Sequence, residues 1–244
     1  MRFELLNERY RSLLKNIKEH FKDSHDSIHK ARNEIRKVEF EDEILVVKSF
    51  KIPNIINKIV YTFFRDSKAK KSYANSVKII EYVPKPIGYI EFQRFGFLHE
   101  SYFISENFEY DFTIREPLLN THFLHKEEIF KAFALFTYKL HEEGIFHLDY
   151  SPGNILIKKE NEGYIFKIVD INRMEFKPLG LDERLKNFSK LWAKDEDLET
   201  IVKEYAKVSN SEEKSCVKIS LKYSQAHKDR KNAKKRLRGE AVVD

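Results

Sequence analysis

The feature that most constrains the fold is the order of elements around one polar stretch, residues 147–154. Upstream, apolar side chains at helical spacing predict a long helix over residues 126–143, and Gly144 is a natural C-terminal cap for it. Downstream, apolar runs at residues 154–157 and 164–169 with polar residues between them predict a β-hairpin. The polar stretch therefore joins a helix to a hairpin.

That polar stretch and its surroundings carry the residue types that phosphoryl transfer requires. His147-Leu148-Asp149, followed by Asn154, matches the H-x-D-x-x-x-x-N catalytic loop of protein kinases. We expect Asp149 to be the catalytic base and His147 to support the loop rather than react. Asn154 and Asp170, which ends the second apolar run, are expected to offer side-chain oxygens to Mg²⁺, a cation that prefers oxygen ligands.

The first half of the chain predicts a small antiparallel sheet with helices. The patterns give, in order, an amphipathic helix over residues 2–21, strands near residue 28 and over 35–40 and 44–50, a helix over 67–81, and strands over 87–92 and 101–105 with a turn at Gly96. Residues 181–237 read as mostly helical. We therefore predict an N-terminal sheet lobe, residues 1–107, and a mainly helical C-terminal lobe with a basic tail, residues 108–244.

Four residues in the first lobe or at its boundary are candidates for nucleotide binding. Lys48 lies in an apolar strand, like the strand lysine that contacts phosphates in kinases, although an ordinary solvent-facing lysine is the alternative. No glycine precedes Gly88, so a glycine-rich phosphate loop is missing, and Arg32 would supply positive charge in its place. Glu106 and Phe108 follow a strand where a hinge would present backbone groups to adenine.

Composition and charge limit the other possibilities. The 244 residues, 41% of them hydrophobic, can form a substantial core, and the single cysteine, Cys216, excludes an internal disulfide. With no apolar segment typical of a signal peptide or a membrane span, we expect a cytoplasmic protein. The net charge of +6 permits an anionic partner. The basic tail, residues 227–238, fits peripheral contact with an anionic membrane or a solvated helix face, and a nucleic-acid partner is not expected.

With these residues in hand, the chain resembles the lipopolysaccharide core kinases, which phosphorylate Kdo or heptose on a lipid A precursor. The resemblance runs from residue 27 to residue 195. It rests on the catalytic loop with Ser151-Pro152-Gly153 and on residues 30–35, 46–51, 67–73 and 84–89. It implies an α+β, two-lobed protein-kinase-like fold, ATP and Mg²⁺ as cofactors, and a lipid A/Kdo glycolipid acceptor at the inner membrane.

Two alternative functions stay open at this point. One is an atypical serine/threonine protein kinase, which Ser151 disfavours because protein kinases usually carry lysine at that position. The other is a nucleotide-binding pseudokinase. The missing glycine loop favours it, and so does the lack of a glutamate in residues 67–77 to pair with Lys48, for which Asn75 and Glu81 are the remaining candidates. The complete set of base and metal residues opposes it.

Overall fold

The computed structural model describes residues 1–30, 33–51, 61 and 65–240 of the chain. The chain divides into two compact units. The sheet unit consists of Met1–Glu109 and Val169–Asn172, and the helical unit of Tyr110–Ile168 and Arg173–Asp244. An antiparallel sheet dominates the first unit and helices the second, which confirms the predicted α+β fold class. The predicted lobe limits, residues 1–107 and 108–244, stay a prediction.

A six-stranded antiparallel sheet forms the framework of the sheet unit. Its strands are β1 (Arg2–Leu5), β2 (Ser27–Lys30), β3 (Asn33–Phe40), β4 (Glu43–Lys51), β5 (Pro86–Arg94) and β6 (Phe97–Glu106), in the spatial order β1-β5-β6-β4-β3-β2. The predicted turn at Gly96 joins β5 to β6, and its φ of 79° is one that glycine adopts without strain. The strands predicted in this part of the chain are confirmed.

The N-terminal segment corrects one prediction. Instead of one helix over residues 2–21, the chain forms strand β1, a 3₁₀ turn Glu8–Tyr10, and the helices α1 (Arg11–Lys15) and α2 (Ile17–Asp23). Strand β1 pairs with β5, and this pairing needs Gly88, since a Cβ there would lie 2.6 Å from the carbonyl oxygen of Glu4. Only the apolar stripe from residue 10 onward is helical, and it packs on the sheet.

One longer helix of the sheet unit packs against the strands. Helix α3 (Lys68–Lys78) begins at Ser67, whose hydroxyl accepts a hydrogen bond from the Lys70 amide at 3.0 Å. Its side chains Ala69 and Tyr73 form a buried cluster with Phe50 of β4. This cluster fixes the helix to the strand that carries Lys48.

The helical unit contains two small sheets. Their strands are β7 (Phe112–Thr113), β8 (Ile145–His147), β9 (Ile155–Glu160), β10 (Gly163–Ile168) and β11 (Met174–Phe176), with β9 between β10 and β7, and β11 beside β8. The predicted hairpin is β9–β10, with a shorter turn than expected because the pairing reaches from Ile155 and Ile168 to Glu160 and Gly163. The polar stretch 147–154 thus runs from β8 into β9.

Five helices make up most of the helical unit. They are α4 (Arg115–Leu119), α5 (Lys126–Glu142), α6 (Leu181–Asn187), α7 (Asp195–Val208) and α8 (Glu213–Arg236), with 3₁₀ turns at Pro152–Asn154 and Phe188–Leu191. The predicted helix over residues 126–143 is α5, and an ion pair of 2.8 Å from Lys126 to Asp197 joins it to α7. In the part of the chain that the structure describes, no helix has the length and apolar character needed to cross a membrane.

Candidate active site

His147 holds the candidate catalytic loop in place. Its side chain is only 2% exposed, and its ring nitrogen Nδ1 accepts a hydrogen bond of 3.0 Å from the backbone N–H of Asp149. That bond places the ring proton on Nε2, so His147 acts here as a neutral acceptor. The next residue is fixed as well, because the Leu148 amide donates to the Arg173 carbonyl at 3.0 Å. His147 thus holds the backbone of Asp149, and the supporting role expected for it stays a prediction.

Tyr150 anchors the chain on the other side of Asp149. Its ring is fully buried and stacks on Phe133 at 5.8 Å between ring centroids, and its hydroxyl lies 2.8 Å from Thr137 Oγ1. Burial raises the pKa of Tyr150 well above its ordinary value, so the phenol stays neutral. With His147 and Tyr150 both buried, the half-buried Asp149 between them has its backbone position set. Its carboxylate has no hydrogen-bond donor among the described residues.

Asn154 closes the loop back on Asp149. Its amide nitrogen Nδ2 donates to the Asp149 carbonyl at 2.9 Å, and the turn Pro152–Asn154 keeps the two residues close. Gly153 lies against Arg115, since a Cβ there would be 2.8 Å from the guanidinium Nη2. The loop is therefore closed by hydrogen bonds and bordered by a guanidinium.

In the sheet unit, Lys48 forms an ion pair with Asp170. Lys48 lies in β4, between Ile35 and Phe103 on the neighbouring strands, and its side chain is 12% exposed. Its Nζ is 2.6 Å from Asp170 Oδ1, which also accepts a 2.6 Å hydrogen bond from Asn172 Nδ2. Asp170 adopts a left-handed backbone conformation with φ of 58°, uncommon for a residue other than glycine. Lys48 and Asn172 thus both donate to the same oxygen, Oδ1, of the Asp170 carboxylate.

Asn75 of helix α3 was a candidate partner of Lys48, but its side chain has another partner. Its Nδ2 donates to the Ile171 carbonyl at 2.7 Å, next to Asp170 in the sequence, and not to Lys48. The Ile171 side chain is buried, so the segment is attached both by its backbone and by packing. The helix therefore positions the Asp170 segment, and Asp170 is the carboxylate that pairs with Lys48.

The candidate hinge residues follow the end of β6. The Glu106 amide donates to the Lys85 carbonyl at 2.9 Å, and its carboxylate lies 3.2 Å from Lys85 Nζ. The Phe108 amide has no acceptor among the described residues. Arg32, the remaining candidate for nucleotide binding, lies outside the described residues.

The residues expected to bind a metal ion keep oxygen atoms available for one. Within the described part of the chain, Asp170 Oδ2 and Asn154 Oδ1 accept no hydrogen bond, because the partners of these side chains contact Asp170 Oδ1 and Asn154 Nδ2. Carboxylate and amide oxygens suit Mg²⁺. Across the same residues, no group of three or more His, Cys, Asp and Glu side chains forms a metal cluster. Each oxygen, taken within its own unit, is therefore of a kind that suits Mg²⁺.

Two residues near the loop were not identified from the sequence. Asn187, at the end of α6, donates from Nδ2 to the His147 carbonyl at 3.0 Å, and Lys190 follows in the next turn. Neither belongs to a local motif, and 40 residues separate Asn187 from His147. Arg115 beside Gly153 is a third such residue, and a glycine in the loop was its only signal in the sequence.

The two units together define the class of fold. A sheet unit with a lysine in β4 paired to an aspartate, and a helical unit with the His147–Asn154 loop between β8 and β9, form a protein-kinase-like fold, as predicted. Many solved structures match it. One of them, WaaP in complex with acyl carrier protein, matches with a TM-score of 0.60 and 11% sequence identity over 94% of this chain and 98% of that chain.

At that identity the likeness to WaaP shows the fold alone. No family model matches the chain, and no curated protein matches it in sequence.

Proposed function

We propose that this protein is an ATP- and Mg²⁺-dependent kinase that phosphorylates a sugar hydroxyl, Kdo or heptose, of a lipopolysaccharide or lipid A precursor. The observation that carries the proposal is the closed catalytic loop. Asn154 holds the Asp149 carbonyl, His147 holds the Asp149 amide, and the Asp149 carboxylate keeps no donor among the described residues. A base held in this way, with free oxygens, suits proton abstraction from an alcohol.

Each candidate residue has a role in that reaction. Asp149 accepts the proton of the attacking hydroxyl, and Lys48 orients the phosphates of ATP. Asp170 and Asn154 are the residues that would each offer an oxygen to Mg²⁺, and the bound ion would neutralise phosphate charge. Glu106 and Phe108 offer backbone groups to adenine.

The choice of a sugar acceptor rests on the loop sequence and on the resemblance to the lipopolysaccharide core kinases. Ser151 stands where protein kinases usually carry lysine, and Gly153 makes room for Arg115, whose guanidinium can bind an anionic or hydroxyl-rich acceptor. The similarity of fold to WaaP supports a kinase of this kind. Because WaaP was solved in complex with acyl carrier protein, acyl carrier protein belongs among the partners to be tested.

Contact with an anionic membrane surface is part of the proposal. Lys234, Arg236 and Arg238 are exposed at the end of α8, and each basic side chain near such a surface contributes about 1 kcal/mol of attraction. We expect co-sedimentation with lipid vesicles to increase with their content of anionic lipid. Binding that does not depend on that content would remove this part of the proposal.

The decisive experiment offers labelled ATP with Kdo-lipid A, heptosylated lipid A and generic protein acceptors. We expect transfer to a glycolipid, and an Asp149→Asn variant with turnover lowered by about 10²–10⁴-fold, the usual contribution of a general base. Binding of Mg-ATP, followed with a fluorescent nucleotide, should persist in that variant. Transfer to protein alone would favour the serine/threonine kinase, and nucleotide binding without any transfer would favour the pseudokinase.

A further inference from the structure

A lysine that the proposed reaction does not use lies close to the catalytic loop. Lys190 belongs to the turn Phe188–Leu191, which directly follows Asn187. Asn187 is hydrogen-bonded to the carbonyl of His147, two residues before Asp149. This turn is thus fixed to the strand that leads into the loop, and Lys190 lies within electrostatic range of Asp149.

The C-terminal helix α8 adds two cations at the same place. The Trp192 ring, next to the turn, meets the His227 ring edge-to-face at 6.0 Å, which fixes this part of α8. Arg230 and Lys231 follow His227 by three and four residues, so all three lie on one face of the helix. His227 is 7% exposed, whereas Arg230 and Lys231 are exposed to solvent.

Helix α8 packs on the turn Phe188–Leu191, which brings this face of the helix near Lys190. Burial, followed by the charges of Arg230 and Lys231, lowers the pKa of Lys190, while Asp149 opposes the shift. Burial, followed by the same cations with Lys190, lowers the pKa of His227 to about 4, so His227 is neutral at physiological pH. Its buried Nδ1 has no hydrogen-bond partner among the described residues.

The positive charge of this cluster is not compensated. Within the described ranges, none of Lys190, Arg230 and Lys231 forms an ion pair with a carboxylate, although the neighbouring Lys228 lies 3.7 Å from Asp195. Burial is the main reason that the pKa of Lys190 is lowered, and repulsion from Arg230 and Lys231 adds to the cost of its charged form. An anionic ligand would remove that cost.

We propose that Lys190, Arg230 and Lys231 form an anion-binding site beside Asp149 that holds a phosphate group already carried by the acceptor. The inference rests on the proposed function and names the residues that would hold a phosphate of its acceptor. The site belongs to the acceptor because Asp149 contacts the acceptor hydroxyl. A phosphate suits it because one dianion accepts charge-assisted hydrogen bonds from several cations at once. Arg173, exposed and also within range of Lys190, adds to the same positive field.

The test compares two double variants of the same helix. Arg230→Gln with Lys231→Gln removes two charges from the site, and Lys218→Gln with Lys222→Gln removes two exposed charges from another face of α8. Steady-state kinetics use Kdo-lipid A with its phosphates and the same lipid after dephosphorylation. We expect the site variant to raise KM for the phosphorylated acceptor roughly tenfold, the effect of losing one charge-assisted hydrogen bond. The control variant, the dephosphorylated acceptor and Mg-ATP affinity should show no change.

Equal effects of the two double variants, or an equal effect on the two acceptors, would overturn the inference. So would a loss of binding to vesicles of anionic phospholipid with an unchanged acceptor KM, since that result assigns the cations to the membrane. Inorganic phosphate gives a readout that does not depend on kinase activity. If no acceptor is phosphorylated, the proposed function fails. The anion site would still be supported if calorimetry shows that the wild type and the control variant bind phosphate and that the site variant binds it more weakly. Absence of phosphate binding to the wild type would refute it.

Discussion

The Asn75→Ala variant tests how the sheet unit positions Asp170. Asn75 donates a 2.7 Å hydrogen bond to the carbonyl of Ile171, a residue only 3% exposed. Leaving a buried carbonyl without its partner costs about 1–3 kcal/mol. Alanine favours a helix more than asparagine does, which returns about 0.5 kcal/mol. The remaining cost of about 0.5–2.5 kcal/mol lowers the population of the native arrangement around Asp170 by a factor of up to roughly 2–70.

The assay for this variant is turnover together with the affinity for Mg-ATP. We expect turnover to fall by that factor, because Asp170 would leave its place beside Lys48, and hydrogen exchange of the Ile171 and Asn172 amides to become faster. Lys71→Ala, at an exposed position of the same helix, is the matched control and should behave as wild type. If Asn75→Ala keeps wild-type turnover while urea unfolding records the lost bond, the bond serves stability alone and the reasoning is refuted.

Two further predictions concern the stability of each unit. Gly88→Ala should lower the free energy of unfolding by about 1–3 kcal/mol, because the new Cβ would lie 2.6 Å from the Glu4 carbonyl oxygen. Gly180 has open space around it, so Gly180→Ala should leave the free energy of unfolding nearly unchanged in the same urea titration. Burial lowers the pKa of His141 to about 4 from its ordinary 6.5. As the pH falls, His141 is therefore protonated in the unfolded chain before it is protonated in the folded one. Stability should therefore fall as the pH drops from 6.5 towards 4, and His141→Gln should flatten that slope in urea titrations over this pH range.

The catalytic loop could be predicted because its determinants are local. His147, Asp149 and Asn154 lie within eight residues, and the two hydrogen bonds that link them stay inside that stretch, although the His147 carbonyl also accepts a hydrogen bond from the distant Asn187. The same holds for β9 and β10, whose pairing needs only a short turn. Where the sequence pattern and the contacts cover the same few residues, pattern reasoning is sufficient.

The N-terminal strand could not be predicted in this way. Phe3 and Leu5 fit a helical stripe as well as a strand, and the choice between them depends on β5, about 85 residues away. A four-residue strand gains its stability from the partner that completes its hydrogen bonds, which no local pattern contains. Gly88, an isolated glycine inside a predicted strand, was the available signal, because such a glycine often marks a close approach of another backbone.

The partner of Lys48 could not be predicted either, because it also lies far away in the sequence. Its identity bears on the choice between an enzyme and a pseudokinase. Asp170 lies 122 residues from Lys48. The sequence pointed instead to residues 67–77, which hold no glutamate, and left Asn75 and Glu81 as candidates. The structure places a carboxylate beside Lys48 all the same, and helix α3 contributes through Asn75 and the backbone of Ile171.

One carboxylate can then serve two purposes. Asp170 Oδ1 holds Lys48 and Asn172, and Oδ2 has no donor among the described residues and suits a cation. A helix glutamate is therefore not needed to neutralise Lys48, and its absence does not indicate a decayed site. The pseudokinase alternative is left with the missing glycine loop as its remaining support. Residues 31 and 32, which belong to the turn predicted over residues 29–33, lie outside the described residues, so activity measurements must decide between the two alternatives.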